Sequence, residues 1–70
     1  MDNKLHNQSI ERLDISSNII ETLKRNEIII IKQLCGKTKT YLKNLGLTND
    51  DANKVEIELQ LLGLNLKTSY

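Results

Sequence analysis

The sequence predicts a small all-α domain, a compact bundle of four short helices. Three observations carry that expectation. The chain has 70 residues and no proline, so one domain is its limit and no ring interrupts a helix. Apolar residues make up 39% of it, with two tyrosines and no phenylalanine or tryptophan; the core must therefore be aliphatic. The apolar positions recur at helical spacing behind Ser or Thr residues suited to capping.

The elements follow in order. Ser16 caps a first helix over about 17–25, with Ile19, Ile20 and Leu23 on one face and Asn18, Glu21 and Arg25 on the other. The run Ile28-Ile29-Ile30-Ile31 has strand propensity, but it is short and no second strand candidate is available to pair with it. Ile28, Ile31 and Leu34 instead form an inward series, with a short helix over about 30–35 ended by Gly36. Thr38 caps a third helix over about 39–44, to which Tyr41, Leu42 and Leu45 add apolar contacts. After a turn at Gly46, Thr48 caps the last helix, with Asp51 completing a variant capping box. Asp50 and Asp51 both suit the helix dipole there. This helix runs to about Leu62 and stops at Gly63, with Ala52, Val55, Leu59 and Leu62 inward. Leu64 and Leu66 fold back onto the core. Residues 1–8 are expected to be a disordered tail, 9–67 the domain and 68–70 a C-terminal tail.

Charge and composition narrow the functions. Net charge is +1, too small to draw the whole molecule to nucleic acid. Lys24 to Lys43 holds six basic residues against Glu27, a local +5; Thr48 to Gln60 holds four acids against Lys54, a local −3. A dipolar domain is one expectation, and two ordinary solvated faces the other. A lone cysteine, Cys35, permits no internal disulfide and fits a reducing cytoplasm. With only His6 to help it, no zinc site is expected. No metal, cofactor or membrane span is expected. No phosphate loop or nucleophile–base pair is present, and Asp50-Asp51 is explained by its place in a first helical turn. An enzyme is not expected.

The segments Ser9-Ile10-Glu11-Arg12-Leu13-Asp14-Ile15-Ser16 and Leu23-Lys24-Arg25, then Ile28, Ile31, Leu34 and Thr38, the turn at Gly46, and Leu62-Gly63-Leu64-Asn65-Leu66 together resemble the C-terminal domain of the bacterial RNA polymerase α subunit. The resemblance spans about 9–67 and includes a helix-hairpin-helix element at Gly46–Val55. It implies a cytoplasmic, non-catalytic transcription module, bacterial or phage, that contacts A·T-rich promoter DNA in the minor groove and docks activators. By family position the DNA-binding candidates are Asn18, Glu21, Thr48, Asp50, Asp51 and Lys54, with Lys24 and Arg25 as supporting cations. Asn18 stands where the family has arginine, and Thr48, Asp50 and Asp51 where it has glycine, lysine and serine. The surface has lost a cation and gained anions, which phosphate repels.

The alternative expectation is a protein-interaction module, or a free mimic of that domain, that binds a transcription factor, a polymerase component or itself. Ile29 and Ile30 gain no inward direction once Ile28 and Ile31 point in, and Ile57 and Leu61 form a second, outward stripe on the last helix. These four are the partner-surface candidates.

Overall fold

The computed structural model describes residues 7–67. Four α-helices follow a 3-10 turn at Ile10–Arg12: α1 (Ser17–Arg25), α2 (Ile31–Cys35), α3 (Lys39–Asn44) and α4 (Asn49–Leu61). The described residues form no strand, only two isolated bridges. The all-α expectation holds, and each helix begins within a residue of its expected start.

Capping chemistry sets those starts. The Ser16 hydroxyl accepts from the Ile19 amide at 3.3 Å, Thr38 from Tyr41 at 3.0 Å and Thr48 from Asp51 at 3.0 Å. Each bond satisfies a donor that the first helical turn leaves without a partner, worth about 1 kcal/mol. Isoleucine offers no acceptor at the N-cap of α2. There Gln33 reaches back, and its Oε1 accepts from the amides of Ile29 at 2.7 Å and Ile30 at 3.0 Å.

The helices close on one aliphatic core. Ile10, Leu23, Ile31, Leu34, Leu42, Ala52, Val55 and Leu59 are fully buried, with Leu13, Ile19, Ile28, Leu47 and Leu66 nearly so. The inward series Ile28, Ile31 and Leu34 and the α4 face Ala52, Val55 and Leu59 are as the spacing predicts; Leu62 and Leu64 pack at the core's margin. No side-chain nitrogen or oxygen is buried without a partner among the described residues. Short helices of this length are marginal alone, so the shared core is what holds them.

The isoleucine run forms no strand, as expected, but it does make one isolated bridge. Ser9 bridges Ile30 in antiparallel sense, Ile10 N donates to Ile29 O at 3.0 Å, and Ile31 N donates to Gln8 O at 2.9 Å. Its backbone thus finds a partner in the segment from Gln8 to Ile10. Gly36 ends α2 with φ −84°, a conformation open to any residue, so it is not a left-handed terminator. Among the described residues the one non-glycine at positive φ is Glu27, φ 64°, just after α1.

Glu27 completes a Schellman cap. Its amide donates to Lys24 O at 2.9 Å, and Ile28 N donates to Leu23 O at 2.9 Å. Gly63, φ 80°, makes the same motif after α4, with Gly63 N to Gln60 O at 2.9 Å and Leu64 N to Leu59 O at 2.8 Å. The chain then returns along the loop before α3: Lys67 N donates to Lys37 O at 3.0 Å, and Lys67 bridges Thr38 in parallel sense.

Candidate functional site

The hairpin between α3 and α4 holds the densest set of expected site residues. Gly46 takes φ 109°, which turns the chain sharply enough for Leu47 to plug into the core at 7% exposure. Thr48 and Asp51 bond reciprocally: Thr48 Oγ1 accepts from Asp51 N, and Asp51 Oδ2 accepts from Thr48 N at 3.4 Å. Ala52 N already donates to Thr48 O at 3.0 Å. In the first turn of α4 the amides of Asn49 and Asp50 are left without an acceptor among the described residues. A phosphate approaching them meets the carboxylates of Asp50 and Asp51 in the same turn. A helix N-terminus attracts anions through its free amides and its dipole. Here half the amides are used and two fixed negative charges oppose the field.

The charged first-helix candidates are paired. Asn18 is exposed; its backbone carbonyl accepts from the Thr22 hydroxyl at 2.9 Å, a bond that does not engage its side-chain amide. Glu21 lies 4.0 Å from Arg25 across one turn, with both side chains at least 70% exposed; such a pair contributes about 0.5 kcal/mol at most. Lys24 pairs with Glu11. On α4, Lys54 sits 3.4 Å from Glu58, and Glu58 also accepts from Asp14 N at 3.4 Å. Lys24, Arg25 and Lys54 therefore each already face a carboxylate. Glu21, Asp50 and Asp51 balance Lys24, Arg25 and Lys54 charge for charge, so the set is neutral. Among the described residues no hydrogen bond or ion pair joins the α1 group to the hairpin group.

The apolar candidates divide. Ile57 is 50% and Leu61 73% exposed, one turn apart on the side of α4 away from Ala52, Val55 and Leu59. Ile29 is 43% exposed. Ile30 is half-buried, because it forms the N-cap of α2 and bridges Ser9.

Folding also reduces the charge asymmetry. Lys39 pairs with Glu56 at 2.9 Å, joining the basic stretch to the acidic one. Lys37 lies over the Tyr41 ring, 4.9 Å from its centre. What emerges is a feature the sequence did not announce: an open groove of about 490 Å³ lined by Lys39, Thr40, Lys43, Glu56, Asn65 and Lys67 above Leu66. The spacing of Lys39 and Lys43, one turn apart, was its only sign in the sequence. Lys67 arrives through the backbone bridge of the returning chain.

Cys35 is half-buried, and burial raises its thiol pKa above the ordinary 9.0, outweighing an opposing backbone hydrogen bond at Asn65. The thiol is protonated at neutral pH, a poor nucleophile. No group of three or more His, Cys, Asp or Glu among the described residues could hold a metal ion; His6 lies outside them. No helix among them is long and apolar enough to cross a membrane.

Neither protein-family models nor curated proteins yield a match to this chain.

Proposed function

We propose that the chain is a non-catalytic binding module of the transcription machinery that engages a protein partner through the outer face of α4. The observation that carries this reading is the adjacent pair Ile57 and Leu61, at 50% and 73% exposure. α4 needs neither for its core face, which Ala52, Val55 and Leu59 fill. Covering both side chains is worth about 2–4 kcal/mol, enough to anchor a modest interface whose remaining contacts are polar.

The transcription setting rests on the resemblance to the polymerase α C-terminal domain. Its four short helices and hairpin are the order of elements that this resemblance implies. Of the two roles that come with it, partner contact fits these residues better than minor-groove reading. Thr48 and Asp51 cap each other, Asp50 adds charge of the wrong sign, and Asn18 brings no cation.

Capture from a bacterial extract tests the proposal. Immobilised wild-type chain should retain a polymerase component or transcription factor. Ile57→Lys with Leu61→Lys should lose it while melting like the wild type. Equal retention by both proteins, or a wild-type chain that retains nothing and sediments as a monomer at high concentration, refutes the reading.

A further inference from the structure

We infer that the groove between α3 and the returning C-terminal segment is a second binding site, one that takes the phosphate backbone of duplex DNA without reading its sequence. Lys39 and Lys43 stand one turn apart on α3, and Lys67 faces the same groove from the C-terminal segment. At this spacing on a helix, side chains lie about 5–6 Å apart at Cβ, a separation at which two ammonium groups can meet neighbouring phosphates of one strand. Thr40 and Asn65 add a hydroxyl and an amide, donors of the kind that position a backbone.

The charge is available there in a way it is not at the hairpin. Three cations line the groove against Glu56 alone. Among the described residues Lys43 hydrogen-bonds only the neutral amide oxygen of Asn49, at 3.2 Å, and neither Lys43 nor Lys67 has a carboxylate partner. Lys39 is held at 2.8 Å by Asn53 Oδ1 and at 2.9 Å by Glu56, so Glu56 moderates the site.

The lining also selects among polyanions. Its one apolar member, Leu66, is 9% exposed, which leaves no anchor of the sort that dominates protein interfaces. No aromatic ring lines the groove, and single-stranded nucleic acid is generally held by stacking its bases on such rings. A duplex presents phosphates outward and asks only for cations and donors.

Fluorescence anisotropy with a labelled mixed-sequence duplex tests this site separately from the α4 face. Three lysine–phosphate contacts give a log–log salt slope of about −2.7, so affinity should fall about 40-fold between 50 and 200 mM salt. Lys43→Gln with Lys67→Gln leaves one contact, and the fall should shrink to about 3.5-fold. Glu56→Gln should tighten binding at low salt by releasing Lys39. Ile57→Lys with Leu61→Lys introduces lysines away from the groove, so Ile57→Ala with Leu61→Ala is the variant that should leave binding unchanged. Thermal melts confirm that each variant is folded. No binding at 50 mM salt, a slope indifferent to Lys43 and Lys67, or competition by polyglutamate as strong as by unlabelled duplex overturns the inference.

Discussion

Glu27→Gly should stabilise the domain, against the usual outcome of placing glycine in a folded chain. Glu27 holds φ 64°, where an L-residue brings Cβ against its own backbone at a cost of about 1–2 kcal/mol. The conformation is enforced by the two bonds of the Schellman cap and by Leu23 and Ile28, 0% and 1% exposed on either side of it. Glycine removes that cost but adds freedom to the unfolded chain, an offset of about 0.4–1 kcal/mol. It also removes a carboxylate from a helix C-terminus, where the dipole disfavours it by a few tenths of a kcal/mol. The net gain is about 0.5–1 kcal/mol, or a Tm rise of about 2–8 °C for a domain of this size.

Two companion variants separate the causes. Glu27→Ala keeps the strained backbone and loses only the charge, so its Tm should stay within a few degrees of wild type. Gly63→Ala imposes the strain at the matching position after α4. A Cβ there meets nothing within 4 Å, so the loss, again about 0.5–1 kcal/mol, is purely conformational. Thermal unfolding followed by circular dichroism reads all three. An unchanged or lower Tm for Glu27→Gly, alongside a lowered Tm for Gly63→Ala, would refute the assignment of strain to Glu27.

Other variants probe the caps and the thiol. Thr48→Ala should cost about 1 kcal/mol in urea denaturation, because it strips the Asp51 amide of its acceptor. Gln33→Ala should cost a similar amount although the residue is exposed, since one oxygen serves the amides of both Ile29 and Ile30. Cys35 should react with a thiol reagent at pH 8 more slowly in the native chain than in urea. The folded thiol pKa is raised above 9.0, so its contribution to stability is complete below that value. That contribution is lost as rising pH ionises the unfolded thiol first. Cys35→Ser should flatten the decline of stability above about pH 9.

The helices were legible because their starts carry chemistry that acts locally. Ser16, Thr38 and Thr48 name the N-caps, and the spacing of Ala52, Val55 and Leu59 gives the buried face of α4. Glu27 was not legible: its left-handed φ is imposed by the burial of Leu23 and Ile28, and no local preference of glutamate announces it. The single bridge between Ser9 and Ile30 was not legible for a related reason: it forms because the core places the two segments together. The hairpin turn and its caps could be read from Gly46, Thr48 and Asp51 alone. The lysine groove could not, since Lys67 reaches Lys39 and Lys43 only through the fold-back of the chain after Gly63.

The decisive observation concerns the hairpin itself. Adding an A·T-rich duplex at low salt to ¹⁵N-labelled protein reports which amides meet phosphate. The amides from Gly46 to Asp51 should keep their shifts, because Thr48 and Asp51 already bond each other and two carboxylates guard the remaining donors. Shifts should appear instead around Lys39, Lys43 and Lys67. Large, saturating shifts at Thr48, Asn49 and Asp50 would contradict the self-capped hairpin and return this surface to minor-groove recognition.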